Sequence, residues 1–360
     1  MAQRLTFAYP GDLQTLTGGY LYDKRILEAL ASSGWDVAPI SLGEGFPWPT
    51  AQTVESAMAK LVETPNDRLL VIDGLALGAL GAQTRRLAPQ HPYIALVHHP
   101  LARESGLSTN ETKRLFESEI ITLKNAQGVI VTSETTAQTL MADYEVDPDQ
   151  LHVVIPGIDR PKVQPQSTND TTGSESRTLH LLAVGAIVPR KGFDVLVRAL
   201  HAVANRRWSL TIVGDPTRSP STSESLNNLI ASLGMGDRVT LVGSVSPDAL
   251  AEHYRQADVF VLASHYEGYG MAYAEALSWG LPIIGTTGGA VKQTVPEAAG
   301  LLVPPGELAP LIGALVRLLD EPNPRQALTQ AAREHGKRLP SWQDSGEAFA
   351  RALTQLASQQ

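Results

Sequence analysis

Residues 264–289 read SHYEGYGMAYAEALSWGLPIIGTTGG. A strand end at Ser264 runs into a glycine-rich loop, then a helix expected over Met271–Trp279, then another strand. Two carboxylates, Glu267 and Glu275, stand eight positions apart across the loop-to-helix junction. Gly268 and Gly270 flank Tyr269, carry no Cβ, and let the backbone approach a ligand closely. The amides that follow, at Gly270 and Met271, open a helix, and a helix N-terminus favours anions. Carboxylates accept hydrogen bonds from sugar hydroxyls, while amides and helix ends hold phosphate. Both in one pocket call for a nucleotide sugar. The plainer alternative is a strand–loop–helix whose carboxylates only cap and solvate the turn.

The pattern Glu267-x7-Glu275, inside SxxEGYGMxxxEALxxGLPII, resembles the signature of retaining glycosyltransferase family 4. The match rests on the spacing, both glycines, Ser264 and the trailing Gly280-Leu281-Pro282. The resemblance implies an α/β protein of GT-B fold, with two doubly wound Rossmann-like domains facing a central cleft. It also implies that Glu267 stands beside the donor hexose and Glu275 bonds the ribose.

Upstream, the apolar run Leu179–Val184 ends in Gly185, and Ala186–Gly192 leads to a helix expected over Phe193–Ala204. Arg190 and Lys191 are adjacent cations where a helix start disfavours positive charge, so an anion is expected to offset them. A solvated pair is the alternative. This stretch is similar in part to the family's Arg-x-x-x-x-Lys-Gly pattern: Lys191-Gly192 align, but Ala186 stands where the Arg is usual. The resemblance then implies that Lys191, with Arg190 as substitute cation, holds the donor pyrophosphate. It further implies that the turn after the strand Arg238–Val242 meets the base through backbone groups of Gly243 and Val245. Gly288-Gly289 offers another close backbone approach. The family continues with Pro-Glu, whereas this chain inserts Ala290-Val291-Lys292-Gln293.

The first half alternates strands and helices. Leu5–Tyr9, Trp35–Ile40, Arg68–Ile72, Tyr93–Val97, Gly128–Val131 and Leu151–Ile155 are the expected strands. Gly18-Gly19 lies between the first strand and a helical pattern over Tyr20–Ser32, a phosphate-loop geometry; closing the turn is the simpler explanation. It matches the glycine loop that the family turns toward the donor diphosphate. Tyr93–Val97 delivers His98-His99 at its carboxyl end, where ligands of open parallel sheets bind. Adjacent histidines on an extended segment point opposite ways, so a shared metal is not expected. The resemblance places a His here, near the transferred sugar and the acceptor; His98 fits better than His99.

At 360 residues the chain exceeds one ordinary core, so two domains are expected. These are residues 1–160 on the acceptor side, a Ser/Thr/Pro-rich linker over 161–177, and a nucleotide-sugar domain over 178–342. A final helix over 343–358 is expected to pack back on the first. The net charge of −8, without a basic run, argues against nucleic acid as partner. With no cysteine, disulfides and thiolate metal sites are excluded. The single Asp147-Pro148-Asp149 reads as a turn, so metal independence is expected and no cofactor beyond the donor. No leader or membrane span is read, which makes the cytoplasm the default and leaves only peripheral membrane contact open. The expected partners are a nucleotide sugar, with UDP implied by the resemblance, and a hydroxyl acceptor. Three rivals were weighed. A dinucleotide oxidoreductase fails on its fingerprint, because Tyr273 stands where the third glycine belongs and Gln293 where the acid belongs. A sugar-nucleotide epimerase and a non-catalytic nucleotide-sugar binder share the architecture.

Overall fold

The computed structural model describes residues 3–15, 17–161 and 177–358. The chain divides into two compact units, Met1–Gly157 with Pro340–Gln360, and Ile158–Leu339. Most of the linker read at 161–177 lies outside the described residues.

The first unit is built on six parallel strands: β1 (Arg4–Tyr9), β2 (Asp36–Ser41), β3 (Leu69–Asp73), β4 (Tyr93–Val97), β5 (Gly128–Val131) and β6 (Leu151–Val153). Their order across the sheet is β2-β1-β3-β4-β5-β6. β4 is buried along its whole length, as helices on both faces of a parallel sheet require. The helix Trp342–Ala357 belongs to this unit and packs on the helix Gly18–Ser32, with Gly346 seated against Ala29. Its start is fixed by a capping box between Ser341 and Asp344.

The second unit repeats the plan with β7 (Leu179–Val184), β8 (Trp208–Val213), β9 (Val239–Gly243), β10 (Val259–Val261), β11 (Ile283–Thr286) and β12 (Gly300–Val303), in the order β12-β11-β10-β7-β8-β9. Its core is one cluster that includes Leu182, Phe193, Trp208, Phe260, Tyr273 and Leu315.

In each sheet the chain first lays strands to one side and then returns to the other. The reversal lies between β1 and β3 in the first unit and between β7 and β10 in the second. Ligands of open α/β sheets bind outside the strand carboxyl ends at such a reversal. Asp73 closes β3, Gly185 follows β7, and Ser264 lies just past β10, so both reversals carry chemically active residues.

A helix starts at Pro220 and runs to Ser232, with proline in its first turn where its missing N–H costs nothing. Two further helices, Ala51–Val62 and Gly74–Leu80, stand in the first unit. Among the described residues no helix is long and apolar enough to cross a membrane.

Candidate functional site

In the second unit, Pro189–Lys191 forms a single tight turn, and the helix Phe193–Ala202 starts only after Gly192. Gly192 adopts φ +60, and a Cβ there would fall 2.2 Å from the carbonyl oxygen of Ala263. Only glycine lets this turn lie against the end of β10. The backbone N–H of His265 donates to the carbonyl of Arg190 at 2.8 Å, tying the two loops together.

That junction brings Arg190, Lys191 and Glu267 into one group. Lys191 Nζ donates to Glu267 Oε1 at 2.7 Å, and Arg190 Nη1 to Oε2 at 3.2 Å. Arg190 Nη1 also donates to the carbonyl of Tyr266 at 2.8 Å, and Ser264 Oγ to Glu267 Oε1 at 2.6 Å. Glu267 is 6% exposed. Burial alone would raise its carboxyl, but Lys191 and Arg190 hold it down at about 2. The anion expected for the two cations is thus already present in the chain. They lie one turn ahead of the helix, not in its first turn, so the helix dipole is not what they must offset.

Gly270 takes φ +91 and caps the helix Met271–Ser278, and a Cβ built on it would stand 3.8 Å from that of Glu267. The amides of Gly270 and Met271 have no hydrogen-bond partner among the described residues. They are open donors beside a charged cluster, the arrangement that suits a phosphate. Gly288 and Gly289 are filled by the protein itself: they pack against His265 and Glu267, with Gly289 bridging to Glu267. The Ala290 amide donates to the Glu267 carbonyl at 2.9 Å, so the departure at 290–293 buttresses the loop.

Tyr269 turns its side chain inward. It is 8% exposed, lies in the core, and leaves only its backbone for a ligand. Val245 likewise packs its side chain against the core, after Gly243 turns the chain at φ +77. Glu275 is half-buried, and Tyr254 donates its hydroxyl to Oε2 at 2.8 Å. Burial pushes Glu275 up to about 7, against the pull of that hydrogen bond. Tyr254 in turn stacks on Trp279 and Phe260.

In the first unit, His98 leaves β4 beside two carboxylates. Its Nε2 lies 3.0 Å from Asp23 Oδ1 and 3.2 Å from Asp73 Oδ2. Asp73 also caps the helix Gly74–Leu80 by accepting from the Leu75 amide at 2.8 Å. Gly18 and Gly19 form the first turn of their helix, capped by Thr17, and a Cβ on Gly19 would come within 3.4 Å of the His98 ring. Gly19 thus lies next to the His98 ring. Burial alone would lower the imidazole, but Asp23 and then Asp73 push it up to about 10. Burial lifts Asp23 to about 7. His98, Asp23 and Asp73 make up the one group of three metal-ligand types within 4.8 Å among the described residues. Nε2 lies within hydrogen-bond reach of a carboxyl oxygen from each aspartate, so the three groups form one contacting set. His99 turns away and pairs with Glu104 at 3.3 Å.

Sequence reasoning missed Asp23, Asp73 and Tyr254. Asp23 left a signal: it falls on the face of its helix that carries Tyr22, Ile26, Leu27 and Leu30, all buried. A carboxylate on an apolar stripe needs a partner.

Residues 168–335 match the family described as Glycosyl transferases group 1, and residues 69–161 match Glycosyltransferase Family 4. The chain is similar to the D-inositol 3-phosphate glycosyltransferase of Actinosynnema mirum, 30% identical over 77% of this chain and 70% of that protein. It is 31% identical to the protein of the same name from Acidothermus cellulolyticus, over 75% of this chain but 64% of that protein's length. The solved sucrose-phosphate synthase of Thermosynechococcus elongatus superposes with a TM-score of 0.81 at 24% identity, over 99% of this chain and 100% of that one. The fold is the two-domain Rossmann-like GT-B fold.

Proposed function

The chain belongs to the group 1 glycosyl transferases of family 4, and on that premise we propose that it is a retaining glycosyltransferase. It moves a hexosyl group from a nucleotide sugar, with UDP as the nucleotide by the family resemblance, to a hydroxyl acceptor without a metal ion. The observation that carries this reading is the cation pair gathered on Glu267, beside the open amides of Gly270 and Met271 at the sheet reversal.

When the bond from the anomeric carbon to phosphate breaks, its electron pair stays on the diphosphate. Donors already aimed at that growing charge supply the largest catalytic contribution available. Lys191 and Arg190 exchange part of their bonding to Glu267 for the diphosphate, and the amides at 270 and 271 add neutral donors. Glu267, so released, accepts from a hydroxyl of the sugar. It is held by Ser264 and two cations and is a poor nucleophile, which favours substitution on one face. There the departing phosphate oxygen takes the acceptor's proton. Glu275 takes the ribose hydroxyls, and His98 is assigned to the acceptor side of the reaction.

The test is incubation with UDP-, GDP- and ADP-sugars and a metabolite extract in the presence of chelator, read by mass spectrometry. A new glycoside and nucleoside diphosphate in equal amounts are expected. An isomerised nucleotide sugar without acceptor would point to an epimerase. Binding with no turnover would point to a sensor.

A further inference from the structure

We propose that Asp23 and Asp73 lock His98 as an imidazolium, so that its free Nδ1–H meets a substrate oxygen as a fixed hydrogen-bond donor and the ring never acts as a base. The contact with substrate rests on the function proposed above; the lock itself does not.

The geometry assigns the first proton. Nε2 lies within hydrogen-bond distance of a carboxylate oxygen from Asp23 and another from Asp73. An ionised carboxylate only accepts, so above about pH 7, where Asp23 is ionised, a lone pair on Nε2 would face two acceptors, and Nε2 must carry hydrogen. The second proton follows from charge. Asp73 is held as an acceptor by the Leu75 amide, and Asp23 is 1% exposed, with its Oδ2 lacking any hydrogen-bond partner among the described residues. A buried negative group with so few donors is stabilised by a cation in contact.

The remaining titratable group that faces the ring is Tyr22, which meets it edge-on at 5.3 Å. Burial raises the Tyr22 hydroxyl well above its ordinary value, and it donates to the Val154 carbonyl at 2.9 Å, so it stays neutral. Thr132 Oγ1 donates to the His98 carbonyl at 3.1 Å and fixes the backbone that carries the ring. Nδ1 has no partner among the described residues, and 19% of the side chain remains exposed. Nδ1 is therefore the nitrogen left for a ligand, and in an imidazolium it donates.

A charged donor fits a hydroxyl or phosphate oxygen. A general base at this position would instead have to be neutral near pH 7, where ordinary histidine already is for the most part.

The experiment is NMR of the full chain with isotope-labelled histidine, the His98 signal being assigned by its loss in His98→Gln. In the parent protein both ring nitrogens are expected to stay protonated from about pH 6 to pH 8.5, with no inflection near the ordinary value. Asp23→Asn and Asp73→Asn together should bring the His98 titration into that window. The same double variant should then lose kcat, by roughly 10- to 100-fold, as pH rises through the new midpoint, the loss of one charged hydrogen bond. A parent His98 that is neutral, or that titrates like a free imidazole, overturns the lock. A charged ring in a protein whose His98→Gln form transfers sugar at the parent rate overturns the contact with substrate and leaves the lock standing. Absence of any glycosyl transfer overturns the proposed function separately, because the NMR result is read without turnover.

Discussion

Lys191 and Glu267 meet at 2.7 Å although 76 positions separate them in the chain. They approach from the two strands that flank the sheet reversal, β7 and β10, which are paired in parallel. Each is the other's counter-charge before any ligand arrives. The pair therefore stores in the empty protein the same cations that a diphosphate would need.

Glu267→Gln removes the anion and leaves Arg190 and Lys191 facing each other in a largely buried site. Breaking a buried pair on one side costs about 3–5 kcal/mol, which denaturant unfolding at neutral pH should register. Free nucleoside diphosphate should bind at least as tightly as in the parent, because its rival for the cations is gone, while sugar transfer falls. The acid response gives a second sign. The Glu267 carboxyl is depressed to about 2, so its contribution to stability is present above its unfolded value and is lost as pH falls through the folded one. The variant should lack that part of the acid slope below about pH 4.5. Parent-like stability together with parent-like transfer would remove Glu267 from both the ion-pair account and the reaction.

Glu275 responds in the opposite sense. Its folded value is raised to about 7. The stability it contributes to the empty protein is complete below its unfolded value and is lost as pH rises through about 7. Ligand binding runs the other way, since a ribose diol needs the ionised acceptor. Calorimetric affinity for a nucleoside diphosphate should weaken as pH drops from about 8 to about 6, and Glu275→Gln should flatten that dependence while weakening binding by roughly 1.5–3 kcal/mol at pH 8. Tyr254→Phe deletes a hydrogen bond that lowers Glu275, so the inflection should move to higher pH. A pH-independent parent affinity would remove Glu275 from the nucleotide.

Gly185 gives a test that changes no charge. A Cβ there would lie 2.9 Å from Cε and 3.2 Å from Cδ of Lys191, so Gly185→Ala must push the lysine stem aside and move Nζ off Glu267. Gly185 takes φ +157, a conformation that L side chains rarely adopt, so the strain and the disturbed ion pair should cost about 1–3 kcal/mol, less than the usual stability of a domain. Diphosphate affinity and transfer should nevertheless fall. Unchanged affinity would mean that the position of Nζ does not matter to the ligand.

Much of this was legible in the sequence because it is local. The glycine loop, both carboxylates and Lys191-Gly192 sit in short runs whose order dictates strand, turn and helix. Even so, the run could not say that Lys191 and Glu267 neutralise each other, since that contact exists only through the β7–β10 pairing. Tyr269 stands between two glycines, and nothing in the run says that the loop turns its ring into the core. Asp23 was passed over for the converse reason: one carboxylate in a helical pattern reads as a solvated face unless its place on the apolar stripe is checked. Asp73 follows the expected strand Arg68–Ile72, and its meeting with His98 depends on the adjacency of β3 and β4.

The most direct test of the central claim, that Arg190 and Lys191 hold the diphosphate of a nucleotide sugar, is the thermal shift with a saturating nucleoside diphosphate and chelator present. A ligand at about 100 times its dissociation constant adds about 2.7 kcal/mol, and each kcal/mol moves the melting point of a unit this size by roughly 2–4 °C. The parent protein should therefore shift upward by about 5–10 °C with UDP, and the Arg190→Ala, Lys191→Ala double variant should lose the shift and the transfer together. A double variant that keeps the full shift, or a parent that shifts only when a divalent metal is supplied, contradicts the account.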